Sequence, residues 1–218
     1  MSRLQLSEMT RSAFSPKTKG RILLATLELL NRRGFEGATT ADLAAVANVL
    51  EGTLWYHFNS KKELLLAHLD TLEGELAKHL QATHISTAQD LIDRFVAAFD
   101  LLWDFRYLLR ASVSANLSDG EGQTRLAQIY ANVETRISEQ LHRSEALGLI
   151  NLKGVDVACL STSCFLVGRY WIDYSSIRFG ETVPPDRHRS LGMLQVVSVL
   201  EPHLTEAGRA LRQGGHSA

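Results

Sequence analysis

The sequence predicts an all-α fold: a small N-terminal three-helix module followed by a larger helical bundle, about nine helices in all. Three observations carry this expectation. Apolar residues recur at helical spacing in almost every long segment, strand-like alternation is scarce, and only four prolines (Pro16, Pro184, Pro185 and Pro202) interrupt 218 residues. The length suits one small module plus a second domain. An apolar content of 45% is enough for a sizeable core. The expected division is residues 1–60, with a basic and flexible 1–15, then 61–212, then a disordered tail over 213–218.

The first helix is expected to start with Ser15 as cap and Pro16 in the first helical position. Ile22, Ala25, Leu29 and Leu30 give it one apolar face, and Gly34 after Arg32-Arg33 marks its end. The second begins at Thr39-Thr40, where Asp42 stands three residues after Thr39 as in a capping box. It is short, buries Leu43, Ala44 and Ala47, and ends near Asn48, a residue that tolerates a left-handed backbone. The third covers about Glu51 to His57 and is poorly capped, because Leu50 holds the cap position. Ser60-Lys61-Lys62-Glu63 reads as a second capping box opening a helix to about Ala82. Five further helices are expected: Ala88 to Phe105, Tyr107 to Leu117, Gln123 to Ala146, Gly154 to Phe179 and Pro185 to Arg212. Loops fall at 119–122, 148–151 and 180–185.

The net charge of −1 is uninformative, but its distribution is not. Residues 1–65 hold nine basic and six acidic side chains, a balance of +3, which leaves −4 for the rest. A basic head on an acidic body hints at nucleic acid. No apolar run is long enough to cross a membrane, and Met1 to Thr18 lacks the core of a signal peptide, so a cytoplasmic, nucleoid-associated location is expected. Cys159 and Cys164 lie five residues apart, which turns their side chains about 140° from each other on one helix. A disulfide between them is not expected, and both read as small buried side chains. The eight histidines show no metal-ligand spacing, and no phosphate loop, nucleophile elbow or other catalytic constellation is present. No metal, cofactor or enzymatic activity is therefore expected.

The segment Thr39 to Lys61, TTADLAAVANVLEGTLWYHFNSK, reads as a helix-turn-helix. Ala44 and Ala47 let two short helices cross closely, while Leu43, Val49, Leu54 and Phe58 supply a shared core. Glu51, Gly52, Thr53, Trp55, Tyr56 and His57 remain on the outward side, where a recognition helix meets the major groove.

These residues resemble the TetR/AcrR family of bacterial regulators. The match lies in Leu43-Ala44, Ala47-Asn48-Val49, Gly52 to Phe58 and Ser60 to Leu64, and is close over Lys17 to Leu69. The remainder matches in length and helical layout. The resemblance implies that Thr40 contacts a phosphate and that Gly52 and Thr53 approach the groove floor. It implies that Trp55, at a position usually held by Tyr, packs on the sugar-phosphate backbone. Tyr56 and His57 would bind phosphate or a base edge, and Lys61 would clamp a phosphate. Four positions depart from the family pattern: Leu50 stands where Ser or Thr is common, Asn48 for Gly, Ala41 for Arg or Lys, and Glu51 is acidic.

For the larger domain the resemblance implies an effector cavity, expected near Phe99, Trp103, Tyr107, Phe165 and Trp171, for a small apolar or aromatic molecule. It also implies a homodimer through the last two long helices, with Leu191, Leu194, Val197, Leu200 and Leu204 on the apolar face of the last. Such a dimer would bind a near-palindromic operator in double-stranded DNA. The function expected is a ligand-responsive regulator, commonly a repressor, with activation left open. The competing reading is a helical adaptor without sequence-specific DNA binding.

Overall fold

The computed structural model describes residues 6–81, 87–110, 120–179 and 185–214. Among them are eleven α-helices, one 3-10 turn and no named strand, as the all-α expectation requires. The helices are α1 Glu8–Ser12, α2 Thr18–Arg33, α3 Thr40–Val46, α4 Glu51–His57, α5 Lys61–Gln81, α6 Ala88–Asp104 and α7 Arg106–Leu109. They continue with α8 Glu121–Ala146, α9 Val157–Phe179, α10 Pro185–Leu200 and α11 Glu206–Gly214, and the 3-10 turn spans Glu201–His203. No described helix is long and apolar enough to cross a membrane.

The chain forms two compact units. The first contains Met1–Gln81 and Asp100–Arg125, the second Ala82–Phe99 and Leu126–Ala218. Helices α6 and α8 supply residues to both. By contact, α5 belongs with α2, α3 and α4, because Leu64, Leu65, Leu69 and Leu72 are buried in the first unit's core.

In the first unit the helix ends follow from the caps. The Thr39 side chain accepts the Asp42 N–H, and the Asp42 carboxylate accepts the Thr39 N–H, so the expected capping box is present. Gly34 ends α2 at φ 75°, a conformation that favours glycine, and donates its N–H to the Leu30 carbonyl. Two caps differ from expectation. Helix α2 begins at Thr18 with Lys17 as cap, and the Ser15 hydroxyl accepts the Lys17 N–H instead. At α5, Ser60 accepts the Glu63 N–H as expected, but the Glu63 carboxylate accepts from Asn59 rather than Ser60.

The flexible 1–15 segment needs a correction from Leu6 onward. Ser7 caps the helix α1 and donates both its N–H (2.8 Å) and its hydroxyl (2.6 Å) to the Asp104 carboxylate. Leu6, Thr10 and Phe14 are buried, and Phe14 stacks on Phe105. These tertiary contacts, not local periodicity, form the helix. Residues 1–5 lie outside the described residues.

In the second unit, Leu141, Ile150, Leu152, Leu160, Cys164 and Val196 form a core, with Phe95, Ile137, Leu200 and Leu204 packed against it. Helices α9 and α10 cross closely at Gly192. A Cβ there would fall 2.5 Å from Trp171 and 2.6 Å from Phe99. The buried Arg169 guanidinium is satisfied by Asp173 at 2.9 Å and the Tyr130 hydroxyl at 3.2 Å.

The expected helix from Pro185 to Arg212 is broken. Pro202 has no N–H to donate and crowds the preceding turn, so the chain passes through the 3-10 turn and leaves helix at Leu204. There Ile150 and Leu204 form an isolated β-bridge, and Thr205 donates its N–H to the Leu149 carbonyl. Helix α11 then runs to Gly214, into the expected tail. Helix α8 starts at Glu121, two residues early, and α9 at Val157, three residues late. The expected helix beyond Arg110, the loop over 181–184 and the tail over 215–218 lie outside the described residues. Both cysteines are free. Cys164 is buried, which pushes its thiol up to about 11, whereas Cys159 is exposed, contrary to expectation.

Candidate nucleic-acid interface

Helices α3 and α4 pack through the residues that the sequence assigns to a common core. Leu43, Ala44, Ala47, Leu54 and Phe58 are all buried. The turn between them is tight. Asn48 takes φ 53°, and the Val49 N–H reaches back to the Ala44 carbonyl at 3.1 Å. Asn is among the few non-glycine residues that occupy this region at modest cost, so its place in the turn has a steric reason. Leu50 caps α4 with no side-chain hydrogen bond, as the sequence suggests.

The structure gathers most of the expected DNA-facing residues on α4. Tyr56 is 84% exposed and meets the His57 ring edge-on, with centroids 5.2 Å apart. Gly52 is exposed, and a Cβ there would meet nothing within 4 Å. Thr53, Trp55 and His57 are half-buried. Thr40, the first residue of α3, lies 3.5 Å from the Glu51 carboxylate through its hydroxyl. The two helix starts therefore adjoin.

Lys61 stands at the first position of α5, but its ammonium is not free in solvent. It donates to the Phe35 carbonyl and lies over the Phe35 ring, 4.3 Å from the centroid. Partial burial lowers its pKa, opposed by the nearby Glu36. Elsewhere around the motif, Lys17, Lys19, Arg21 and Arg32 are exposed, and Arg33 pairs with Asp42 at 2.7 Å. Hydrogen bonds from Thr39 and the Arg33 guanidinium hold the Asp42 carboxyl down at about 2.

The residues named for an effector cavity divide between the units. Trp103 and Tyr107 belong to the first; Phe99, Phe165 and Trp171 belong to the second. Phe99 and Trp171 both close on Gly192, whereas Phe165 packs on Tyr130 with centroids 4.9 Å apart. The Trp171 indole N–H donates to the His188 carbonyl at 2.8 Å. Tyr107 is fully buried, with its hydroxyl 2.6 Å from His68 Nδ1. Because His68 Nε2 faces the Leu23 carbonyl at 2.8 Å, and a carbonyl only accepts, Nε2 carries the proton. Nδ1 of the neutral ring then accepts the Tyr107 O–H. Burial pushes the His68 imidazole down to about 4, which keeps it neutral.

Sequence reasoning misses Asn31. Its amide donates to the Asp104 carbonyl at 2.7 Å and accepts the Tyr107 N–H at 3.1 Å, which ties α2 to the junction of α6 and α7. The one signal in the sequence is a polar amide one helical turn after Leu27, on the stripe that is otherwise buried. Leu50 stands out in the sequence only as a poor cap; the structure leaves its side chain 80% exposed.

Comparison with known proteins agrees with this geometry. The family model described as "Bacterial regulatory proteins, tetR family" matches residues 22–68, and the one described as "Bacterial transcriptional repressor" matches residues 65–211. The chain is 36% identical over 77 residues to the HTH-type transcriptional regulator TtgR of Pseudomonas putida, a match covering 35% of each chain. It is 30% identical over 112 residues to the regulator CymR of Pseudomonas putida, covering 49% of this chain and 55% of CymR. These alignments thus span between about a third and a half of the relatives' lengths. A crystal structure of a TetR-family regulator from Marinobacter aquaeolei superposes with a TM-score of 0.76 at 25% identity, over 91% of this chain and 98% of that one. With a family model covering most of its length and a helix-turn-helix in the expected place, the chain belongs to the TetR family of bacterial regulatory proteins.

Proposed function

We propose that the protein is a DNA-binding transcriptional regulator that acts as a homodimer and responds to a small effector, most simply as a repressor. The observation that carries the reading is the helix-turn-helix itself. Its core is buried behind α4, and the open face of α4 presents Gly52, Thr53, Tyr56 and His57. In this reading Thr40, Trp55 and His57 hold phosphate or sugar, and Lys61 adds a phosphate contact by turning from the Phe35 carbonyl. The relatives named above are themselves regulators.

Dimerisation through α9 and α10 is supported by an uncovered apolar stripe. Leu166, Tyr170, Tyr174 and Ile177 recur at spacings of four, four and three along α9, and all are exposed, Ile177 by 88%. Exposed Leu194 on α10 adds to it. A stripe of this size facing water is the usual mark of a partner surface. Leu200 and Leu204, expected on this face, pack into the second unit's own core instead. Effector binding falls to the second unit, with Phe99, Phe165 and Trp171 as its aromatic side chains; Tyr107, buried on His68 in the first unit, is part of that unit's core. SmeT, a structural neighbour of the same fold, forms a complex with triclosan.

The test is enrichment of a preferred duplex from random DNA, then comparison of wild type with His57→Ala by fluorescence anisotropy. The reading expects at least a tenfold loss of affinity for the variant, with unchanged mass in sedimentation. Failure to enrich any sequence would favour an adaptor that does not read DNA.

A further inference from the structure

The exposed face of the recognition segment has an unusual chemical inventory. From Leu50 to His57 the chain reads Leu-Glu-Gly-Thr-Leu-Trp-Tyr-His, with no Arg, Lys, Asn or Gln. In the major groove, guanine is read by the donor fork of Arg or by Lys on O6 and N7, and adenine by Asn or Gln on N6 and N7. Neither instrument is available on this helix. The carboxylate of Glu51 only accepts, so it cannot address the N7 acceptor of either purine. Thr53, Tyr56 and His57 can still donate, and Glu51 accept, single hydrogen bonds at base edges, but none of them makes a bidentate purine pair, which leaves a place for apolar readout.

One feature of the major groove is apolar: the C5-methyl of thymine, which cytosine lacks. One side chain of matching chemistry is uncovered at the segment's entry. Leu50 is 80% exposed, makes no side-chain hydrogen bond, and stands between α3 and α4 in the turn of the motif. Val46, on the last turn of α3, is exposed to a smaller extent, 37%. Close to Leu50 in sequence, Gly52 has no neighbouring atom within 4 Å of a built Cβ, so the backbone leaves room for a close approach of base edges. Leu50 directly precedes α4, and in the same unit the exposed Lys17, Lys19 and Arg21 carry the charge that a duplex attracts, with Lys19 over the Phe58 ring at the end of α4, 5.2 Å from its centroid. A protein partner would have no use for that charge unless it were acidic; the duplex satisfies both features at once.

We propose that Leu50 is a specificity-determining residue that packs on the C5-methyl of a thymine in each half of the bound site. The inference rests on the DNA-binding reading above. Removing one methyl group from a buried apolar pair lowers affinity by about 4-fold.

The experiment uses the full chain and a duplex enriched from a random library. Each thymine in turn is replaced by uracil, which keeps every hydrogen-bonding group and removes only the methyl. Affinities are measured for wild type, Leu50→Ala and Leu50→Ser. The serine supplies the missing cap, so the two variants differ in their effect on folding, while both take away the leucine side chain that would meet the methyl. The expected result is one thymine per half-site at which uracil weakens wild type by about 4-fold, with a thymine-to-uracil ratio near one at that position in both variants. Ratios at other positions stay as in wild type. Absence of any uracil effect on wild type overturns the proposal, as does an unchanged ratio in the variants, and in either case the enriched duplex still attests DNA binding. If no sequence is enriched, the DNA-binding reading fails and takes this inference with it.

Discussion

His68 and Asn31 illustrate how single polar side chains organise the first unit. His68 is fully buried between the Leu23 carbonyl and the Tyr107 hydroxyl, and burial lowers its pKa from 6.5 to about 4. Between those values the unfolded chain takes up a proton that the folded chain refuses, so stability is whole above the unfolded value and falls as pH drops through the window. By pH 5 the loss amounts to about 2 kcal/mol. His68→Gln keeps a donor and an acceptor without titrating. Urea unfolding near pH 7.5 and pH 5 should therefore show the variant lacking this part of the wild-type loss; equal losses in the two proteins would contradict the assignment. Asn31 gives a second test. Asn31→Ala removes the acceptor of the buried Tyr107 N–H and a donor to the Asp104 carbonyl, and should cost about 2–4 kcal/mol in the same assay. A loss below about 0.5 kcal/mol, the size of a surface change, would mean the junction is solvated. Neither residue is legible from spacing alone, because each is defined by partners 39 to 76 residues away.

At the scale of elements, what can be read from sequence is what local chemistry determines. The Thr39–Asp42 box, the Gly34 stop, the Asn48 turn and the uncapped start at Leu50 each depend on residues within one turn of each other, and each appears in the structure. Three elements require more. Helix α1 has too little periodicity to be seen, and exists through Ser7 on Asp104 and Phe14 on Phe105. The last helix looks continuous in sequence because its apolar residues keep their spacing through Pro202, yet the missing N–H ends it and the bridge to Ile150 holds the break. The exposed stripe of α9 is hidden because buried residues such as Cys164, Phe165 and Ile172 alternate with it, leaving the helix apolar nearly all round. That stripe yields a direct test. Ile177→Asp places a charge where we propose a partner subunit, and should convert a species of twice the chain mass into one of single mass in sedimentation at micromolar concentration. Wild type already at single mass would remove the dimer surface from this face.

For the molecule as a whole, the helix-turn-helix head is the most legible part, since its motif compresses fold and surface into about twenty residues. The proposed effector site is the least legible. Aromatic residues at helical spacing look the same whether they line a cavity or fill a core, and Tyr107 is a case of the second, with its hydroxyl committed to His68. The charge distribution adds a physical expectation for DNA binding, because each phosphate contact releases counterions and steepens the salt dependence. Binding of the wild-type protein to its enriched duplex, measured by fluorescence anisotropy across a salt series beside an unrelated duplex, tests the regulator reading most directly. A preferred duplex bound at least a hundredfold more tightly, with log affinity falling linearly in log salt at a slope of several units, is the expected result. Equal affinity for both duplexes, or affinity indifferent to salt, would contradict it.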